Sequence, residues 1–226
     1  MSKTYLLVAA AAFAVFGGGA FFAVQRGGEL PPSLSTAALA QEAAATPSSE
    51  AALVPDMVLG QADAPIEVIE YASFTCPHCA NFHDTVFDKL KSNFIDTGKV
   101  RFVYREVYFD KYGLWAGMVA RCGGAQKYFG ISDMIYDTQR DWLAPGVDAG
   151  IAANLRKIGL KAGLTGEALD ACMKDDDMAK AMVATFQTNA KNDDINATPS
   201  FIINGEKYSN MSYEDFAGIL DEKLAN

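Results

Sequence analysis

Short β-branched runs alternate with stretches of helical periodicity in the first part of the chain. Residues 66–71 are rich in Ile and Val and are bounded by Pro65 and Ser73, which predicts a strand. Residues 80–94 carry apolar side chains at helical spacing, and residues 100–107 are again typical of a strand. A strand, a helix and a second strand within about 45 residues form a βαβ unit, so the two strands should be parallel.

The pattern becomes helical in the middle of the chain and returns to strands near its end. Apolar side chains recur at helical spacing through residues 111–192, which predicts a block of four or five helices. Residues 200–203 and 206–208 are typical of strands, and the Asn-Gly pair between them is a strong hairpin signal. Ser212 caps a final predicted helix that runs to Leu224. The order βαβ, helices, ββα predicts an α/β, thioredoxin-like fold with an inserted helical domain.

The N-terminus indicates export. An uncharged apolar run covers residues 5–24 and is flanked by a lysine and an arginine, as in a secretion signal or a single membrane anchor. About 20 residues are enough for a helix to span a bilayer. A sequence typical of a signal-peptidase site ends at Ala40, well past the apolar run, so cleavage and retention both stay open. In either case the remainder of the chain is exported.

These patterns divide the chain into five parts. They are a signal peptide or membrane anchor at 1–26, a linker rich in Ala, Pro and Ser at 27–53, a thioredoxin-like domain in two parts at 54–110 and 193–226, and a helical insert at 111–192.

Composition and charge exclude one class of partner. The chain has 226 residues, half of them hydrophobic, which is enough for one sizeable core. Its formal net charge is -9, whereas a protein that binds nucleic acid needs a basic face for the phosphates. We therefore expect a soluble monomer with no nucleic-acid partner.

The segment Cys76-Pro77-His78-Cys79 carries the candidate chemistry. A Cys-x-x-Cys motif can be half of a zinc site, a redox dithiol or a structural staple, but this one follows a predicted strand and begins a predicted helix, as a redox motif requires. Unpaired N–H groups at a helix N-terminus favour a thiolate, so Cys76 should be the nucleophile. Cys79, one turn deeper, should be the resolving thiol. A zinc site needs two further ligands nearby, so neither a metal nor another cofactor is predicted.

Three further ionisable residues lie near the motif. His78 lies between the cysteines, where an imidazole donor would stabilise the Cys76 thiolate; the alternative is a residue that serves solubility. His83 is interpreted as a structural or surface histidine. Strand parity places Glu70 under the start of the active-site helix, where it could relay the proton of Cys79; the alternative is a solvated carboxylate at a strand end.

The step Thr198-Pro199 precedes the third long predicted strand. Proline is tolerated at the start of a strand for ordinary reasons. The alternative is a cis peptide bond that presents a backbone edge to an extended substrate, and the residues leave both open.

The residues 73–79, together with Glu70 six residues ahead of the first cysteine, resemble the DsbA family of periplasmic thiol–disulfide interchange proteins. The helical insert and the Thr198-Pro199 pair also resemble that family, and the resemblance covers roughly residues 55–226. The resemblance implies that Cys76 exchanges disulfides with substrate, that Glu70 lies beneath the cysteine pair and that Pro199 is cis beside Cys76.

The same resemblance implies partners and a location. Substrates would be reduced exported proteins, and a DsbB-like membrane protein linked to quinone would reoxidise the enzyme. The location would be the periplasm, with tethering by residues 5–24 left open. Cys122 and Cys172 in the helical insert resemble the second, structural disulfide of some members, although two buried free thiols are the alternative.

The leading hypothesis is therefore a dithiol oxidase that introduces disulfide bonds into exported proteins. A reductase or a disulfide isomerase on the same fold is the near alternative, but an isomerase usually needs a dimerisation module and residues 27–53 offer none. The distant alternative is an envelope protein without enzymatic activity, either a metal-binding protein or a peptide-binding chaperone.

Overall fold

The structure is a computed structural model, and it describes residues 53–226. The predicted signal or anchor at 1–26 and all but the last residue of the predicted linker at 27–53 lie outside the described residues. Among the residues that are described, no helix is both long enough and apolar enough to cross a membrane.

A mixed sheet forms the centre of the described region. Within residues 53–226 it has five strands in the order β1-β3-β2-β4-β5. The central strand β2 is parallel to β3, as the βαβ pattern predicts, and antiparallel to β4, while β1 and β5 are antiparallel edge strands. The strands are β1 at Met57–Leu59, β2 at Ile66–Ala72, β3 at Val100–Glu106, β4 at Ser200–Ile203 and β5 at Glu206–Ser209.

One continuous helical segment, residues 77–95, connects β2 to β3. It starts within the motif, as the position of the motif predicts, and three residues before the apolar pattern, because Pro77 suits the first turn of a helix. Two π-helical turns interrupt its α-helical parts, and nothing in the apolar spacing predicts them. The parts are α1 at Pro77–Phe82, a π-helical turn at His83–Phe87, α2 at Asp88–Leu90 and a second π-helical turn at Lys91–Ile95.

The middle of the chain is helical throughout. Residues 111–192, all of them described, form six helices rather than the four or five predicted. The difference lies in α5 and α7, which have only 5 and 7 residues and are too short to show a clear helical period. The helices are α3 at Lys111–Cys122, α4 at Gly124–Asp137, α5 at Gln139–Leu143, α6 at Asp148–Lys161, α7 at Gly166–Cys172 and α8 at Asp176–Asn192.

The last helix, α9 at Tyr213–Ala225, packs back towards β2 and the helical segment 77–95. Ser212 caps it, as predicted, by accepting a hydrogen bond from the Asp215 backbone N–H.

The two faces of β2 enter different clusters of the core, which positions the site. Val68 and Ala72 belong to the large cluster that includes the helical segment 77–95, whereas Ile69 and Tyr71 belong to a smaller cluster on the other face. Strand alternation therefore directs the side chain of Glu70 into the large apolar cluster.

Candidate active site

The two cysteines of the motif occupy the junction between β2 and α1. Cys76 is the N-cap residue of α1 and is partly exposed, whereas Cys79 is fully buried. Both thiols are free, so the structure shows the reduced pair. The Cys76 backbone N–H donates to the Ser73 carbonyl at 3.0 Å, which holds the tight turn between strand and helix.

The surroundings of Cys76 favour its ionised form. A hydrogen bond from the Cys79 thiol is the main cause that lowers the Cys76 pKa from 9.0 to about 5, against the opposing effect of burial. The Thr198 side chain and the backbone N–H groups of Cys79 and His78 lower this pKa further. At neutral pH Cys76 is consequently a thiolate, the form that attacks and leaves in disulfide exchange.

Cys79 has the opposite character. Burial is the main cause that raises its pKa far above the ordinary range, and the hydrogen bond to Cys76 and the charge of Glu70 act in the same direction. Cys79 therefore stays a protonated thiol beside the Cys76 thiolate, and each cysteine stabilises the state of the other.

His78 contributes to this arrangement through its backbone. Its side chain is exposed, and among residues 53–226 no hydrogen bond joins its imidazole to Cys76. The donor that His78 supplies to the thiolate is the main-chain N–H. An effect of the imidazole itself on Cys76 stays a prediction.

The loop before β4 closes the other side of Cys76. The Thr198-Pro199 peptide bond is cis, the alternative that the family resemblance implies. The Cys76 sulfur lies 3.5 Å from the Thr198 carbonyl oxygen, to which it donates when it is protonated. Residues 122 positions apart in the chain thus meet at the nucleophile.

Gln139, on α5 of the helical insert, is a residue of the site that the sequence did not indicate. Its buried side-chain amide donates to the Phe74 carbonyl at 2.8 Å and to the Cys76 carbonyl at 2.9 Å. Asp110 adds a second link, since it caps α3 and accepts a hydrogen bond from the Thr75 hydroxyl at 2.8 Å. The helical insert therefore holds the backbone of the active-site turn in place.

Glu70 and His83 form a buried pair beneath the motif. Their side chains meet at 3.2 Å between Oε2 and Nε2, and they are 0% and 8% exposed. The alternatives of a solvated Glu70 and a surface His83 are wrong, because the large apolar cluster encloses both. No local sequence pattern predicts this contact, because the two residues lie on different elements, β2 and the first π-helical turn.

Cys122 and Cys172 are joined by a disulfide bond whose Cα atoms are 5.9 Å apart. The alternative of two free thiols is therefore wrong. The bond links the last residue of α3 to the last residue of α7, entirely within the helical insert. In the described part of the chain, no group of three or more His, Cys, Asp or Glu side chains is arranged to hold a metal ion.

A thioredoxin-like sheet with a Cys-x-x-Cys motif at the start of its first long helix defines a class of thiol-based redox proteins. The sequence model of the family described as thioredoxin matches residues 52–222, and the chain belongs to this family.

Individual relatives and solved structures show which kinds of protein in this family the chain is similar to. A protein of Rickettsia bellii, whose name describes a protein-disulfide oxidoreductase, is 36% identical over 75% of this chain and 64% of its own length. The chain thus spans just under two thirds of that relative. Disulfide bond formation protein D of Bacillus subtilis is 27% identical over 74% of this chain and 76% of its own length. The crystal structure of Wolbachia pipientis alpha-DsbA1 superposes on this chain with a TM-score of 0.70 and 28% sequence identity. The match covers 77% of this chain and 94% of the alpha-DsbA1 chain.

Proposed function

We propose that this chain is a thiol–disulfide oxidoreductase that introduces disulfide bonds into exported proteins. The observation that carries the proposal is the contrast between Cys76, which is partly exposed at the N-terminus of α1, and Cys79, which is buried one turn deeper. Hydrogen bonds lower the pKa of Cys76 to about 5, and burial keeps Cys79 protonated. Names of relatives that describe disulfide oxidoreductases and disulfide bond formation support it.

The reaction follows from the two thiols. A substrate thiolate attacks Cys76 of the oxidised enzyme, the bond between Cys76 and Cys79 breaks, and its electron pair passes to Cys79, which takes up a proton. A second substrate thiolate then attacks the substrate sulfur of the mixed disulfide and releases Cys76 as a thiolate. The substrate loses two electrons and gains a disulfide, and the enzyme becomes the dithiol.

The direction of the reaction follows from what stabilises each form. The hydrogen bonds to the Cys76 thiolate exist only in the reduced enzyme, so they favour reduction of the enzyme and oxidation of the substrate. Each unit by which the Cys76 pKa falls favours the reduced form by about 1.4 kcal/mol, or about 30 mV of oxidising power near that pKa. This bias favours an oxidase over a reductase on the same fold.

Thr198 and Pro199 are the proposed contact edge for substrate. A substrate cysteine bonded to Cys76 would lie against this loop, because the Thr198 carbonyl is 3.5 Å from the Cys76 sulfur. Neither the Cys76 thiolate nor a Cys76 sulfur in a mixed disulfide carries a proton for this carbonyl, so the carbonyl is free to accept from a backbone N–H of an extended substrate.

The proposed setting is the periplasm, and the proposed substrates are reduced exported proteins that encounter a monomer. A DsbB-like membrane protein would reoxidise the dithiol and pass the electrons to quinone. The support is the family resemblance together with the alpha-DsbA1 structure. The same proposal includes tethering to the membrane by residues 5–24. It also includes the division of the chain into two thioredoxin-like parts, 54–110 and 193–226, and a helical insert, 111–192.

The reduction potential of the Cys76/Cys79 pair tests the function. Equilibration with glutathione buffers should give a potential less negative than about -200 mV, on the oxidising side of the glutaredoxins. A value near about -270 mV, as in thioredoxin, would contradict an oxidase and favour a reductase. A metal titration of the reduced chain that showed tight binding at the two cysteines would favour the metal-binding alternative.

A further inference from the structure

His83 lies beneath the cysteine pair, on the first π-helical turn after α1. Its Nε2 atom is 3.2 Å from Oε2 of Glu70. Cys79 and His83 are buried and lie four residues apart in one helical segment, so they share the helix face that covers Glu70. The charge of Glu70 also contributes to the raised pKa of Cys79, which arises mainly from burial. Single π-helical turns occur frequently at functional sites.

Each member of the pair keeps one polar atom without a partner. Glu70 Oε1 and His83 Nδ1 are buried and make no hydrogen bond to any described residue. Leaving a buried polar atom unsatisfied costs free energy, and a redox or catalytic role is one of the reasons for which native structures keep such atoms. The free oxygen of Glu70 is available to accept or donate a proton.

Aromatic rings enclose the histidine. Tyr136 on α4 stacks on it with ring centroids 4.2 Å apart, and Tyr104 on β3 meets it edge-on at 6.1 Å. Burial raises the pKa of both tyrosines well above the ordinary value, so both remain neutral phenols. Asp133 on α4 is an exposed second acid, whose pKa is raised by desolvation and would be lowered by a positive charge on His83. Glu70 is the acid that contacts the ring directly.

We propose that His83 is a positioning residue that holds a proton on the Glu70–His83 pair, so that Glu70 can pass it to Cys79 when the active-site disulfide opens. This inference rests on the proposed oxidase function and assigns a task to a residue that does not touch substrate.

The proton balance of the step is simple. A substrate thiolate attacks Cys76, and Cys79 leaves as a thiolate in an apolar environment that disfavours its charge. The proton that the pair holds passes from Nε2 of His83 through Glu70 to the Cys79 thiolate, and Glu70 is left ionised. His83 is then neutral and is protonated again from solvent before the next cycle. Imidazole is the side chain that most readily gains and loses a proton near neutral pH.

The test compares two variants of the full chain in the oxidised state. His83→Gln keeps a hydrogen-bond donor for Glu70 but cannot carry the proton. Phe87→Leu is the matched control, since the Phe87 ring packs 4.7 Å from His83 and has no ionisable group. Single-turnover oxidation of a model dithiol peptide is measured against pH and corrected for the thiolate fraction of the peptide.

The oxidised enzyme contains neither active-site thiol, so any remaining pH dependence belongs to other groups. For the wild type and Phe87→Leu, the corrected rate should fall as rising pH removes the proton from the pair. His83→Gln should lose this dependence and react about a hundredfold more slowly below the transition, in the range usual for loss of acid–base assistance.

The outcomes separate the two proposals. A wild type that fails to oxidise the peptide overturns the proposed function, whereas an active wild type with an unchanged His83→Gln profile overturns this inference alone. If His83→Gln does not fold, nitrogen NMR of the unmodified oxidised chain decides. The His83 ring signals should titrate over the pH range of the rate transition, and a ring that keeps one protonation state throughout that range contradicts the proposal.

Discussion

The chain contains two cysteine pairs in opposite surroundings. Cys76 and Cys79 lie where a buried strand meets a helix, with backbone N–H groups and a cis-proline loop around the outer sulfur. Cys122 and Cys172 lie at the ends of two helices of the insert, and their sulfurs are bonded to each other. Position in the fold, rather than residue type, thus distinguishes the pair that we propose to exchange disulfides from the pair that links two helices.

The largest expected effect comes from the active-site pair. Cys76→Ser should abolish dithiol oxidation, because Cys76 is both the atom attacked and the leaving group. Cys79→Ser should accumulate mixed disulfides when its Cys76 thiolate attacks a disulfide of an oxidised substrate, because the neighbouring Cys79 thiol that would break the mixed disulfide is absent. Non-reducing gels check both, with a reduced substrate protein for Cys76→Ser and an oxidised one for Cys79→Ser. If Cys79, rather than Cys76, reacted first with an alkylating agent at mildly acidic pH, the two roles would be reversed.

The second pair should affect stability instead. Removing both sulfurs with Cys122→Ala and Cys172→Ala opens a loop with a sequence separation of 50 residues. The chain-entropy model gives a loss of about 4 kcal/mol, which corresponds to a melting temperature lower by about 10 °C for a domain of this size. Thermal melts and peptide oxidation should show a less stable but active protein. A folded variant without oxidase activity would mean that this pair relays electrons.

Much of the fold around the active-site pair could be predicted from local sequence. The strands β2, β3 and β4 and the helix after Cys76 follow from short patterns, and the motif at their junction identifies the redox pair. The contacts that shape the site are non-local: Gln139 meets the carbonyl of Cys76 across 63 residues, and His83 meets Glu70 across 13. The edge strand β1 has only three residues and pairs with β3, so nothing local reveals it.

A moderate effect is expected from the loop beside Cys76. Thr198→Val removes the side-chain hydrogen bond that lowers the Cys76 pKa and keeps the shape of the residue. Because a hydrogen bond to a charged group contributes about 1.5–3 kcal/mol, the Cys76 pKa should rise by about one to two units and the oxidising power should fall by about 30–60 mV. Thiolate titration and the reduction potential measure the two changes. An unchanged pKa would remove Thr198 from the set of groups that stabilise the thiolate.

The smallest effect is expected from His78→Ser. The imidazole should stabilise the thiolate, so its loss should raise the Cys76 pKa and weaken the oxidant. The main-chain N–H that contacts Cys76 survives the substitution, so the change should be smaller than that of Thr198→Val. A shift larger than that of Thr198→Val would show that the exposed imidazole, rather than the backbone, is the main contribution of His78.

The ultraviolet absorbance of the thiolate, followed against pH in the reduced protein, tests the central claim most directly. We expect one transition at low pH, near the Cys76 pKa of about 5, and no ionisation of Cys79 in the same range. The transition should vanish in Cys76→Ser and be unaffected when Cys122 and Cys172 are replaced by Ala. A transition at the ordinary value of a free thiol, or one that survives Cys76→Ser, would contradict the account.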